Sequence, residues 1–172
     1  MTSEEVEWWK LGADDLEKRL EVDAATRKAL FEVTLKHLKE DLRSYRIIDS
    51  RTSTDPFARD CRICVSPHMA WAVPGAEETA SGREKVIYLN PDWVNSLEEK
   101  FRAFLLAHEK CHIEKKECVA DQACATLCAL ENMNLTEKEK TDLARRWYSF
   151  WAKEGLHGDE KYITQLRKLL SE

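Results

Sequence analysis

The chain has 172 residues, enough for one domain with a hydrophobic core that does not depend on disulfide staples. Its composition is 43% hydrophobic and 34% charged with a formal charge of -5, and Lys and Arg are scattered among Glu and Asp. That argues against a nucleic-acid surface, because phosphate affinity rests on clustered cations. No apolar run has the length of a membrane span, and the acidic start "MTSEEVEWWKLGADDLEKRLE" lacks the basic and apolar regions of a secretory signal. The expected location is therefore cytoplasmic, and the six cysteines are expected as thiols or metal ligands rather than disulfides.

Residues 1–50 read as a helical amino-terminal segment and 51–172 as the main domain, the two forming one compact unit. Val6, Trp8, Trp9 and Leu11 mark a short apolar docking segment. After Asp23, the spacing of Phe31, Leu35, Leu38, Leu42 and Tyr45 alternates between four and three, which predicts one amphipathic helix to about Arg46. The segment "RTSTDPFARD" is a loop by its Asp-Pro and hydroxyl content. "CRICVSPHMAWAV" and "VIYLN" then flank a Gly- and Pro-containing loop and predict an antiparallel strand pair, with Pro67 making the first run an edge strand or a broken one.

Ser96 and Glu99 match a capping box that opens a helix to about Ile113. A second helix is expected over 117–131. Thr136 and Glu139 repeat the capping box for a third, which Gly155 ends, and Asp159 caps a last short helix to Leu170. The order helix, small antiparallel sheet, helices defines an α+β fold with helix dominant.

On the helix from Ser96, the apolar stripe Leu97, Phe101, Phe104 and Leu105 continues into His108 and His112. Residues four apart stack on one helical face, so two imidazoles so placed converge on one ion. Glu109 lies beside them. This is H-E-x-x-H, in which the histidines hold zinc and the glutamate takes a proton from the attacking water. A catalytic zinc needs a third ligand and an open position. Glu117 and Asp121, four apart on the next predicted helix, are the candidates, and the small Ala120, Ala123 and Ala125 would let the two helices approach closely.

"HEKCH" followed by "ECVAD" resembles the H-E-x-x-H … E-x-x-A-D pattern of gluzincin-type metallopeptidases, shared by the HtpX and CAAX-prenyl-endopeptidase group and by small soluble proteins of the ImmA/IrrE-like kind. The lead-in "VIYLNPDW … FRAFLLAHE" is similar too, so the resemblance spans residues 86–128. It implies a zincin-like minimal domain, a Zn2+ cofactor held by His108, His112 and Glu117, and Asp121 as the group that orients a metal histidine. Only four residues separate His112 from Glu117, fewer than in those families, which keeps Asp121 as the alternative third ligand. "GLHGDEKYITQLRKLL" is similar to a segment that steadies the oxyanion there, which would make His157 the donor with Arg167 nearby.

Cys61 and Cys64 form C-x-x-C with His68 close behind, a possible second metal site or redox pair, although small thiols on a strand are also ordinary core residues. Cys124 and Cys128 are expected as packing residues, and so is the stripe Leu143, Trp147, Phe150, Trp151. The functional expectation is a zinc-dependent endopeptidase acting on a protein or peptide, with the strand near 86–89 as an edge for an extended substrate. The alternative is a non-enzymatic zinc module closed by a thiol such as Cys111 or Cys118, or a regulatory interaction protein of a phage or mobile element.

Overall fold

The fold is known from a computed structural model, which describes residues 21–52, 59, 61–65, 85–151 and 158–171. The docking segment around Trp8 and Trp9, the loop with Pro67, and His157 lie outside the described residues.

Helix α1 spans Ala24–His37, and Asp23 caps it by accepting from the Thr26 N–H. It stops nine residues short of the predicted end. Leu38 turns to extended backbone and forms an antiparallel bridge with Met133, while Lys39 N–H donates to the Asn132 carbonyl at 2.8 Å. Leu38, Leu42 and Tyr45 are buried as expected, at 6%, 0% and 0% exposure, but from a loop rather than a helix face. Leu35, on the predicted stripe, is 55% exposed; Leu30, Val33 and Thr34 face the core instead. Spacing alone could not separate the two, because a compact turn also returns every third or fourth side chain inward. Arg27 holds that turn by donating to the carbonyls of Tyr45 at 2.6 Å and Arg43 at 3.0 Å.

Strand β1 (Arg46–Asp49) follows, then a 3-10 turn (Ser50–Thr52), β2 (Ile63–Val65) and β3 (Val86–Leu89). The sheet order is β1-β3-β2. β2 and β3 are antiparallel, as expected, and their register sets Ile63 opposite Leu89. β1 was not anticipated; it runs parallel to β3, with Arg46 opposite Val86, so the sheet is mixed rather than antiparallel. β3 is therefore central, and all four of its residues are buried. It is not the edge that a substrate strand could join.

A short helix α2 (Pro91–Asn95) leaves the sheet, capped by Asn90, whose side chain accepts from the Asp92 and Trp93 N–H groups. Ser96 ends α2 and donates its hydroxyl to the Trp93 carbonyl at 2.5 Å. It does not open the next helix. That helix, α3 (Glu99–Glu114), begins at Glu98 without a side-chain cap. A 3-10 turn (Lys116–Cys118) leads to α4 (Gln122–Glu131), then α5 (Glu137–Trp151) and α6 (Glu160–Leu170). The Thr136–Glu139 capping box forms in both directions, at 3.0 and 3.2 Å, and Asp159 caps α6.

One core holds these elements together. Leu30, Val33 and Leu42 from the amino-terminal segment pack in the same cluster as Ile87, Phe101, Phe104, Leu105, Leu130, Trp147 and Leu166. At its centre is α3, where every residue from Ala103 to Ile113 is buried. It packs on α4, α1 and β2. Among the described residues, no helix is long and apolar enough to cross a membrane.

Candidate metal centre

α3 carries His108, Glu109 and His112 into the interior, at 3%, 7% and 5% exposure. Burial of the two histidines follows from their place on the apolar stripe. Their rings stand nearly perpendicular, 4.7 Å apart, and the two Nε2 atoms face each other at 3.1 Å. Phe104 and Trp147 wall the His108 ring, at 6.3 and 5.9 Å between centroids.

The far side of each ring is engaged. His112 Nδ1 lies 2.6 Å from the Cys118 carbonyl oxygen. A carbonyl only accepts, so the proton sits on Nδ1 and the Nε2 lone pair is left toward the centre. His108 Nδ1 lies 3.1 Å from Thr126 Oγ1, which can donate or accept. Both His108 tautomers are thereby satisfied: one donates from Nε2 in the metal-free protein, the other offers the Nε2 lone pair to an ion. Burial, reinforced by His112, pushes the His108 pKa well below its ordinary value, and burial lowers that of His112. Both rings are neutral at neutral pH, the state in which imidazole is a ligand.

The third group at the centre is Gln122. Its Oε1 is 2.8 Å from His108 Nε2 and 3.2 Å from His112 Nε2. Ligand atoms on one tetrahedral zinc, each about 2.0–2.1 Å from the ion, stand roughly 3.3–3.4 Å apart. The two edges at His112 Nε2 come close to that, while the His108–Gln122 edge has the length of a hydrogen bond. Gln122 is itself exposed, on the first turn of α4, and forms the solvent side of the centre.

The structure does not gather the expected acid. Glu117, in the 3-10 turn, is exposed, and among the described residues no group of three His, Cys, Asp or Glu side chains is placed to hold a metal ion. Asp121 is buried, but its carboxylate is used otherwise. One oxygen caps α4 by accepting from Cys124 N–H at 2.8 Å, and the other accepts from Asp159 N–H at 2.8 Å. Its charge acts on His112 at a distance, raising that pKa against the effect of burial. The Nδ1 atoms of the two histidines contact Thr126 and the Cys118 carbonyl rather than Asp121. Arg167 is 65% exposed and faces Glu160 at 3.8 Å.

All six cysteines are paired: Cys61 with Cys64, Cys111 with Cys128, and Cys118 with Cys124. The expectation of free thiols or thiolate ligands is overturned. In this form Cys61 and Cys64 bind each other rather than a second metal, and neither Cys111 nor Cys118 can close the histidine centre. The reasons are local: Cys61 and Cys64 are three residues apart, Cys118 in the 3-10 turn meets Cys124 at the start of α4, and the close packing of α3 on α4 brings Cys111 to Cys128.

Gln122 and Thr126 went unnoticed in the sequence. Their one signal is position: Gln122 directly follows E-x-x-A-D, and Thr126 lies four residues on, along the same face of α4. No family model matches the chain, and neither any curated protein nor any solved structure matches it.

Proposed function

We propose that the chain is a zinc-dependent metallopeptidase built on a small zincin-like α+β domain. The observation that carries this reading is the pair of buried, neutral imidazoles on H-E-x-x-H, with Nε2 atoms 3.1 Å apart and both Nδ1 atoms held from behind. Two buried lone pairs aimed at one point are costly unless a proton or a cation lies between them. His108 and His112 fit zinc; Gln122 Oε1 occupies the third corner, where the resemblance implies a carboxylate.

A bound zinc ion supplies Lewis acidity that brings the pKa of water toward neutrality. The rest falls to the protein. Glu109, one position round α3 and 7% exposed, takes the proton of the attacking water and returns it to the leaving amine. Its desolvated surroundings strengthen that exchange. Phe104 and Trp147 keep bulk water from the inner face of the centre.

The test is zinc content by mass spectrometry on wild type and Glu109→Gln, each assayed against a peptide library. The expected result is equal zinc in both and hydrolysis by wild type alone. Absence of stoichiometric metal from both ends the reading.

A non-enzymatic zinc module remains the alternative, but its closing thiolate is missing here because every cysteine is paired. Cobalt substitution separates the two readings, since thiolate ligation gives intense charge-transfer bands and an all-N/O site does not. Persistent disulfides belong to oxidising compartments, whereas in the cytoplasm they are transient and regulatory. A cytoplasmic protein with this centre would therefore hold its disulfides as a controlled state.

A further inference from the structure

The last turns of α3 and α4 and the two residues after Leu38 border a cleft of about 420 Å3, within the size range of small-molecule sites. The Cys111–Cys128 disulfide forms part of its wall, with Cys111 3% exposed and Cys128 half-buried. Neither of the other two disulfides lines it, and neither does any group of the histidine centre. Charges meet there too. Lys110 is held by Glu40 and Glu114, so these three are spent on one another. Lys39, Lys115 and Glu131 are exposed along the same wall, and their side chains make no ion pair or hydrogen bond among the described residues. The buried amide nitrogen of Asn132, also on the lining, has no hydrogen-bond partner. An acceptor oxygen in the cleft would remove that cost.

We propose that this cleft binds a small zwitterionic thiol, one carrying two carboxylates and one ammonium, and delivers it to the Cys111–Cys128 disulfide. The two uncommitted cations, Lys39 and Lys115, take the carboxylates. Glu131, at the carboxyl end of α4, takes the ammonium. The thiolate attacks Sγ of Cys128, the less buried partner. A sulfur–sulfur bond to the small thiol forms, the bond between Cys128 and Cys111 breaks, and its electron pair goes to Cys111 Sγ, which takes a proton from solvent. One disulfide replaces another, so no outside oxidant or reductant is needed. The chain as a whole carries a charge of -5, which disfavours an anionic thiol. A preference for one therefore has to come from the local lysines. This goes beyond the zinc reading and does not depend on it.

The experiment treats the oxidised full chain with reduced glutathione, or with 2-mercaptoethanol at the same thiolate concentration. Samples are quenched with N-ethylmaleimide at intervals and mapped by peptide mass spectrometry. Glutathione is expected on Cys128 and maleimide on Cys111, with opening at least about tenfold faster than by 2-mercaptoethanol, the lower end of what local charge adds to a rate. Salt should erode that advantage. The Lys39→Gln/Lys115→Gln variant, changed only at exposed side chains, should lose the advantage and keep the 2-mercaptoethanol rate. In Cys111→Ser, oxidised glutathione should leave a stable mixed disulfide on Cys128, because the sulfur that would close the bond again is gone. Equal rates for the two thiols, an advantage that survives in the lysine variant, or glutathione on Cys111 instead of Cys128 each overturns the inference. The wild-type and lysine-variant arms decide it even if Cys111→Ser fails to fold.

Discussion

Thr126 is fully buried, and its hydroxyl touches His108 Nδ1 at 3.1 Å. Replacement by valine keeps the shape and deletes the hydroxyl, leaving that nitrogen without a partner. Thr126→Val is expected to lower zinc affinity by about 10- to 100-fold with the fold intact, read by chelator competition alongside circular dichroism. The histidines also set an acid limit in the metal-free protein. Both have pKa values below the ordinary 6.5, so as pH falls through 6.5 the unfolded chain takes up protons that the folded chain refuses. Stability is therefore full above that pH and declines below it, by up to about 1.4 kcal/mol per pH unit for each histidine. Urea midpoints at pH 7.5 and 5.0 without metal check this; a midpoint that rises on acidification contradicts it. At this scale the sequence was informative about His108, Glu109 and His112, because helical periodicity alone puts residues i and i+4 together. It could not show Gln122 at the centre, since that depends on where a turn of irregular backbone delivers the next helix.

Among the elements, α3 is the axis and its joints decide the rest. Its stripe was legible, yet it is buried on nearly every side, so Lys110 is enclosed as well, 5% exposed. Burial works against that charge; Glu114 and Glu40 outweigh it and hold the Lys110 pKa above its usual value. The joint between α4 and α6 is tighter still. Gly158 has φ +148°, and a Cβ there would collide with Asp121 Oδ1, the oxygen that caps α4. Gly158→Ala is expected to destabilise by more than about 1 kcal/mol, through backbone strain and a disturbed cap together. A thermal unfolding midpoint unchanged from wild type would show that the joint yields freely. Caps were readable where the side chain makes the hydrogen bond, as at Thr136 and Asp159. The Ser96–Glu99 pattern misled because Ser96 is already spent closing α2.

Across the whole molecule, the residues before and after position 50 share one core, and β1 supplies an outer strand of the sheet. The parallel pairing of β1 with β3 escaped the sequence because its partners are forty residues apart, and four residues of a strand carry no mark of their partner. The pairing of Cys111 with Cys128 escaped it for the same reason: it follows from how α3 meets α4. Cys111–Cys128 ties those two helices across a separation of 17 residues. A closed loop of that length stabilises by about 3 kcal/mol in the chain-entropy view. The Cys111→Ser/Cys128→Ser variant should unfold at a lower urea concentration by a corresponding amount, and a midpoint within error of wild type would refute that.

An amide side chain on the rim, backed by two submerged rings, is in effect a cork. Exposed side chains change rotamer in picoseconds to nanoseconds, so the cork itself imposes no slow step on an arriving ion. Uptake would then run as fast as the ion sheds its water, and the wait for a metal would be a matter of supply rather than of the protein opening.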